Sequence, residues 1–285
     1  MEEYQKYWSL LYSIAYQMVG SLQDAEDIVQ ELFADLHEKN IRQVNHLQSY
    51  LTKSVTNRCI NFLQSARKKR EIYVGEWLPE PECKQIEQNP ADSMIKDEMI
   101  SYAFMVLMSR LNPIERAIFM FREVFNYSYK EISFILQKSD ANCRKIYSRI
   151  KNKLKEEISL TADRIEEQRL AELFIHSTKT GDFAEFADRL AKEAVLYADG
   201  GGKVRSAINP IYGRNRIYAF FKGITSKGSL AGHFQLVNIN GGRGVIIKRT
   251  NHPIYAICFA WDQKLDFIKH IYMISNPDKL KQIKI

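Results

Sequence analysis

The stretch from Asn112 to Leu154, NPIERAIFMFREVFNYSYKEISFILQKSDANCRKIYSRIKNKL, constrains the fold more than any other part of the chain. It opens with a helix start. Asn112 can cap, Pro113 suits the first helical position where its missing N–H costs nothing, and Glu115 stands at the third position to reach back. Ile114, Ala117, Ile118 and Phe121 then recur at helical spacing. A break at Asn126 to Ser128 leads to a second helix, Tyr129 to Leu136, with Ile132, Ile135 and Leu136 inward. Gln137 and Lys138 make a tight connection, and Ser139 caps a basic third helix expected to carry Arg144, Lys145, Arg149, Lys151, Lys153 and Lys155. This order reads as a helix-turn-helix, whose last helix enters the major groove of DNA. The same spacing also fits a plain helical hairpin with a solvated basic face. Such a turn often holds Gly, and here Gln137 must take it without Gly's freedom at positive φ. Asn142 and Arg144 are the expected base readers, because Asn pairs adenine and Arg pairs guanine through two hydrogen bonds. Lys145, Ser148 and Arg149 are expected at phosphates, and Ser139 is counted with this DNA-binding set.

At 285 residues the chain has room for about two domains or more. Its 45% hydrophobic and 26% charged residues are those of a soluble globular protein. With no apolar run of about eighteen residues and an N-terminus, MEEYQKYW, unlike a signal peptide, the expectation is a cytoplasmic protein with no membrane contact. Cys59, Cys83, Cys143 and Cys258 are scattered without paired spacing, which argues for reduced thiols and against a zinc site or disulfide framework. No cofactor and no metal are expected.

The net charge of +7 hides an asymmetry: residues 1–163 hold 22 Lys and Arg against 23 Asp and Glu, whereas residues 164–285 hold 19 against 11. The first half is therefore nearly neutral but patterned. A helix is expected from about Glu3 to Val19, ended by Gly20, with Ser21 capping the next. That second helix places Asp24, Glu26 and Asp27 in its first turns, where carboxylates suit the positive end of the helix dipole. Asp24, Asp27 and Glu31 share an outer face, either a solvated one or an acidic stripe for a partner. A third helix, about Leu47 to Arg70, ends in Arg67, Lys68, Lys69 and Arg70, with Tyr50, Asn57, Arg58 and Asn61 on its surface or edges. Basic residues interleaved with an aromatic and amides suit separated bases and single strands, although cations also suit a helix C-terminus.

A linker is expected from Glu71 to about Pro90, with Trp77, Leu78, Pro79, Glu80 and Pro81 extended. A helix from about Asp92 to Arg110 is expected to pack into the helix-turn-helix domain. Beyond it, helices at about Thr161–Thr178 and Phe183–Leu190 precede a strand, a Gly-rich turn, a short strand and a helix near Asn215–Lys222. Four β-rich segments follow: Gln235–Ile239, Val245–Thr250, Ile254–Trp261 and Phe267–Ile274, separated by turn signals such as Asn240-Gly241-Gly242. Helices followed by an antiparallel sheet read as α+β. Asp199, His233, Asp262 and His270 are acid–base candidates that no spacing assembles, and Gly200, Gly201, Gly202 and Lys203 lack the spacing and following helix of a phosphate loop.

These residues carry a resemblance. The order of acidic helix, basic helix, linker and helix-turn-helix resembles the sigma-70 family of RNA polymerase sigma factors, in its extracytoplasmic-function group. YVGEWLPEP (Tyr73 to Pro81) and REVFNYSYKEIS (Arg122 to Ser133) are similar to the subgroup with a fused SnoaL-like C-terminal domain. The resemblance implies two all-α domains, 1–70 and 92–159, joined by a linker at 71–91 and followed by an α+β, cone-shaped SnoaL-like domain at 160–285. It implies that Asp24, Glu26, Asp27, Gln30 and Glu31 bind the polymerase clamp. Residues Tyr50 to Arg70 would read and melt the minus-ten element, with a base pocket in the loop at about Lys39 to His46. The helix-turn-helix would read the minus-thirty-five element, and the flap is the second polymerase contact. The sequence departs from the family at Tyr50 (usually Trp), Asn61 (usually Asp) and Gln137 (usually Gly), which bears on promoter preference rather than class.

DGGGKV (Asp199 to Val204) and NPDKL (Asn276 to Leu280) are the subgroup's C-terminal motifs, and the resemblance makes that domain a regulator in cis. The expected regulatory set is Trp77, Leu78, Pro79, Glu80, Pro81, Asp199, Gly200, Gly201, Gly202, Lys203, Asn276, Pro277 and Asp278. The domain would pack on the linker, and a small ligand in its cone, or polymerase itself, would shift the arrangement. The expected partners are bacterial core RNA polymerase and promoter DNA, as duplex and as melted single strand. Two other readings remain: a ligand-responsive operator-binding regulator, which leaves the acidic and basic helices without a role, and a SnoaL-like enzyme fused to a DNA-binding module.

Overall fold

The computed structural model describes residues 5–38, 46–86, 100–154, 164–250, 252–262 and 267–283. By contacts the chain divides into two units, Met1–Ile72 with Leu107–Ile158, and Tyr73–Val106 with Ser159–Ile285.

The first unit is helical. α1 (Trp8–Val19) ends where Gly20 turns left-handed at φ 73, and the Ser21 hydroxyl accepts from the Asp24 N–H at 3.3 Å to start α2 (Leu22–Glu38). α3 (Leu47–Glu71) packs with both through Leu51, Val55, Cys59 and Leu63, all buried. After α4 (Tyr102–Ser109) come α5 (Pro113–Glu123), α6 (Tyr129–Leu136) and α7 (Asp140–Leu154). Both α5 and α6 begin with reciprocal capping boxes, Asn112 with Glu115 and Ser128 with Glu131. Gln137 does adopt the left-handed turn, at φ 52. Arg116 is 3% exposed, yet its guanidinium is satisfied: it donates to the carbonyls of Met108, at 2.9 Å, and Met18.

The second unit is built on one sheet. α8 (Arg164–Thr180) and α9 (Ala184–Asp188) precede β2 (Leu190–Asp199), β3 (Ile211–Tyr212), α10 (Arg214–Ser226), β4 (His233–Ile239), β5 (Gly242–Arg249), β6 (His252–Asp262), β7 (Phe267–Ile274) and α11 (Pro277–Leu280). A further strand, β1 (Cys83–Lys84), pairs with β4, so that seven strands run in the order β1-β4-β5-β6-β7-β2-β3. β4 and β5 are joined by the two residues Asn240 and Gly241, at φ 47 and 78, the mirror-image turn that matches strand twist. Register shifts in β2, β5 and β6 bend the strands.

Two expectations are corrected, on the sheet and on the helix before the helix-turn-helix. The sheet is not wholly antiparallel: β2 and β7 run parallel, which the long stretch from α10 to β6 between them permits. Residues 73–84, expected to be extended with the C-terminal domain packed on them, form a layer of this unit. The helix expected at Asp92 to Arg110 spans Tyr102–Ser109; Ile100 and Ser101 are not helical, and 92–99 lie outside the described residues. Its first turns pack on the sheet rather than into the helix-turn-helix, because Tyr102 and Val106 join a sheet cluster with Leu78.

Alternation explains that layer. Leu196, Val245, Ile247, Ile257, Phe259 and Ile271 face one side and pack with Phe174, Phe183, Phe186 and Phe221 of the helical layer. Val195, Tyr197, Ile246, Ala256, Cys258 and Tyr272 face the other and pack with Leu78, Tyr102 and Val106. A sheet apolar on both faces needs a cover on both. The second cover is supplied by the strap, residues 73–84, and by α4.

Candidate functional site

The helix-turn-helix presents one polar face. On α7, Cys143, Ile150 and Leu154 are buried, which turns Asn142, Arg144, Lys145, Ser148 and Arg149 outward, all exposed. Ser139 caps this helix, its hydroxyl accepting from the Asn142 N–H at 3.2 Å. Arg144 is held: its Nε donates to Asp140 Oδ1 at 2.7 Å, and its guanidinium lies 4.5 Å from the Tyr129 ring centroid. Arg149 pairs with Glu115 at 2.9 Å. Lys145 and Ser148 lie along the helix between these two tethered cations, and Asn142 lies in its first turn.

On α2, Glu26, Asp27, Gln30 and Glu31 are exposed and Asp24 is half-buried in the first turn. Arg58 of α3 bonds to Asp35 and lies 3.6 Å from Glu31. The structure thus ties one expected DNA-binding residue to an expected polymerase-binding one. Asn57 and Asn61 are exposed and Tyr50 is half-buried. The side chains of Arg67, Lys68, Lys69 and Arg70, and loop residues 39–45, lie outside the described residues.

The expected regulatory residues are brought together most closely. Asp199, at the end of β2, is fully buried. Its Oδ1 accepts from Tyr73 Oη at 2.5 Å and the Gly201 N–H at 3.0 Å. Its Oδ2 accepts from the Leu78 N–H at 2.9 Å and Lys279 Nζ at 2.7 Å. Lys279, 6% exposed, also donates to the Leu78 carbonyl and lies 4.3 Å from the Trp77 ring centroid. Asn276 Nδ2 donates to Tyr73 Oη at 2.9 Å, and Tyr102 Oη donates to the Pro79 carbonyl at 2.7 Å. Further along, Glu82 and Asn240 exchange two hydrogen bonds at 3.0 and 3.1 Å. Burial first, and then the Asp199 hydrogen bond, raise the Tyr73 hydroxyl well above the usual tyrosine range.

The glycines of DGGGKV answer to space rather than to phosphate. A Cβ on Gly201, at φ 62, would lie 2.3 Å from Asn276 Nδ2, and one on Gly202, at φ 70, would lie 3.1 Å from Val74. Lys203 pairs with the exposed Asp278, whose carboxyl it holds below the usual range together with Lys281. Pro277 starts α11 and, with Asn276 as its cap, orients Lys279 toward Asp199. Glu80 is half-buried, and Pro79 and Pro81 are buried.

Sequence reasoning missed Tyr73, Tyr102, Asn240 and Lys279. Lys279 stood inside a quoted motif, and a cation beside a buried carboxylate is the expected partner type. Tyr73 opened the motif YVGEWLPEP and Asn240 the turn Asn240-Gly241-Gly242, but neither carried a sign of its partner, and Tyr102 left no signal. Among the described residues no group of three or more His, Cys, Asp or Glu could hold a metal, and no helix is long and apolar enough to cross a membrane.

Comparison with known proteins bears on the whole chain. Residues 4–69 match the family Sigma-70 region 2, and residues 101–154 match Sigma-70, region 4. The ECF RNA polymerase sigma factor SigJ of Mycobacterium tuberculosis (strain ATCC 25618 / H37Rv) is 27% identical over 293 residues, covering 98% of this chain and 92% of that one. The probable ECF RNA polymerase sigma factor SigI of the same species (strain CDC 1551 / Oshkosh) is 26% identical over 175 residues, 60% of each chain. The crystal structure of the Mycobacterium tuberculosis extracytoplasmic function sigma factor SigJ superposes with a TM-score of 0.78 at 22% identity, covering 98% of both chains, and so shares the fold throughout. With both conserved regions in order and a relative matched nearly end to end, the chain belongs to the sigma-70 family of RNA polymerase sigma factors, in its extracytoplasmic-function group.

Proposed function

We propose that this chain is a bacterial transcription initiation factor whose C-terminal α+β domain sets its activity in cis by holding the strap. It binds core RNA polymerase, directs it to promoters and works in the cytoplasm with the polymerase. Asp24, Glu26, Asp27, Gln30 and Glu31 contact the clamp, and the helix-turn-helix domain contacts the flap. Tyr50, Asn57, Arg58, Asn61 and the Arg67–Arg70 cluster handle the minus-ten element and its melted strand, where cations and a stacking surface suit unpaired bases. The α7 face reads the minus-thirty-five element. Arg144 must leave Asp140 to reach a base, and Arg58 must leave Asp35 and Glu31.

The observation that carries the regulatory reading is the buried Asp199–Lys279 pair clasping Leu78 on both its N–H and its carbonyl. A cis regulator must trade contacts with the segment that joins the two promoter-reading regions, and this clasp is such a contact. Polymerase is the trigger this geometry favours over a small ligand, because the sheet face under the helices is filled by Phe174, Phe183, Phe186 and Phe221. On this reading the domain regulates and does not catalyse.

The test is in-vitro transcription with bacterial core polymerase on a genomic promoter library, comparing the full chain with Trp77→Ala and Asp199→Asn. Promoter-specific transcripts whose yield changes in both variants support the proposal. Transcripts of unchanged yield would remove the regulatory role, and tight duplex binding without any transcripts would favour an operator-binding regulator.

A further inference from the structure

From Gly200 to Trp261 the chain runs 62 residues without a single Asp or Glu, while carrying 9 Lys and Arg. The fold gathers part of that charge at one end of the sheet. His233 opens β4 opposite Lys248 near the close of β5, and Arg249, the last residue of β5, pairs with His252, the first of β6. Lys227 stands at the end of α10, in the turn leading to β4. Lys179, in the last turn of α8, lies 5.9 Å from the Phe234 ring centroid and so joins the same end. Lys179, Lys227, His233, Arg249 and His252 are exposed and Lys248 is half-buried.

Arg249 directs its donors to the carbonyls of Gly228, at 3.2 Å, and Ala231, at 3.0 Å. These neutral acceptors orient the guanidinium without neutralising it. The nearest carboxylate in the chain order of α8 is Asp182, which accepts from the Ala184 N–H at 3.0 Å. Four permanent cations and two imidazoles, on the ends of adjacent strands and of the two helices beside them, make a local positive field. The exposed side chains there are cationic and polar rather than apolar anchors for a peptide. They match a line of phosphates, which needs only spaced cations.

We propose that this end of the sheet contacts the phosphate backbone of duplex DNA, adding a sequence-independent hold on promoter DNA to the contacts made by the family's two conserved regions. The proposal rests on the reading that the chain directs polymerase to promoters. It gives the C-terminal domain a DNA contact of its own beside its hold on the strap.

The test uses holoenzyme, the full chain with core polymerase, and a promoter fragment in a salt series. Each phosphate contact contributes about 0.9 to the slope of log affinity against log salt. The variant Lys179→Ala/Lys227→Ala/Lys248→Ala is expected to lower that slope by about 2–3 while start sites stay unchanged. The control Lys192→Ala/Arg216→Ala removes two exposed cations near the start of β2, at the other end of the sheet, and is expected to leave it unchanged. An unchanged slope in the triple variant, an equal loss in the control, or a loss confined to core-polymerase affinity would each overturn the proposal. The last outcome would point to an acidic protein surface instead. Absence of promoter-specific transcripts from the unmodified chain would fail the promoter-directing reading separately.

Discussion

Replacing Asp199 by Asn keeps the shape of the side chain and removes its charge. Lys279 is then left as a buried ammonium beside a neutral amide. Asp199 is fully buried and Lys279 is 6% exposed, and their atoms lie 2.7 Å apart. Breaking a buried pair by removing one partner costs about 3–5 kcal/mol. The amide also presents an N–H₂ toward one of the donors the carboxylate served, the Tyr73 hydroxyl, the Leu78 N–H, the Gly201 N–H or Lys279, so the upper part of that range applies. For a folding unit of this size, each kcal/mol moves the melting temperature by about 2–4 °C, so a cost of about 4–5 kcal/mol gives a drop of about 8–20 °C. Differential scanning calorimetry measures it, and limited proteolysis within residues 73–84 reports whether the strap has lifted. The companion variant adds Lys279→Met to Asp199→Asn. The amide oxygen still accepts from the strap, and removing the buried ammonium that has lost its counter-charge is expected to recover part of the loss. A single Asn variant that melts within about 2 °C of the unmodified chain would refute the account of the clasp. So would a double variant no better than the single one.

Other perturbations follow from the same geometry. Gly201→Ala should destabilise the strap-bearing unit by about 2 kcal/mol, through a Cβ pressed on Asn276 and a φ of 62, read as a lower melting temperature. Arg116→Met should cost about 2–4 kcal/mol in denaturant unfolding, because the Met108 and Met18 carbonyls lose their buried donor. Gln137→Gly should raise stability slightly, by about 0.5 kcal/mol, since the left-handed turn at φ 52 suits glycine. Tyr73 has a hydroxyl whose folded pKa is raised above its ordinary 10.0, so its stabilising contribution is complete at neutral pH and lost as pH climbs above about 10. A Tyr73→Phe variant should therefore show a shallower alkaline fall in stability.

Local chemistry was legible in the sequence. The Asn112–Glu115 box, the Gly20 stop and the Ser139 cap each depend on residues within four positions of one another, and the chain adopts them. The Ser128–Glu131 box carried the same signature and went unread. What the sequence did not disclose was tertiary. Extended, proline-rich residues 73–84 look like a linker because their partners stand more than 100 positions away, as with Leu78 and Asp199. The double-faced burial of β2 appears in its near-continuous apolar run, but that α4 shares the cover of the second face with the strap does not. Arg144 reads as a base contact by type, yet its tether to Asp140 four residues earlier was visible as an opposite-charge pair at helical spacing.

The clasp also orders events in time. Leu78 and Lys279 lie 201 residues apart, and the helix-turn-helix is made between them. At about 5–20 residues per second, a ribosome needs roughly 10–40 s to pass from one to the other. Once residue 154 has been made the nascent chain carries both matched regions, and the Lys279 half of the clasp arrives only with α11. A ribosome that stalls between β2 and α11 leaves a chain whose strap can meet Asp199 but lacks the bond from Lys279 to the Leu78 carbonyl. The order of synthesis thus makes the chain without the Lys279 contact the earlier form, and the complete clasp a later one.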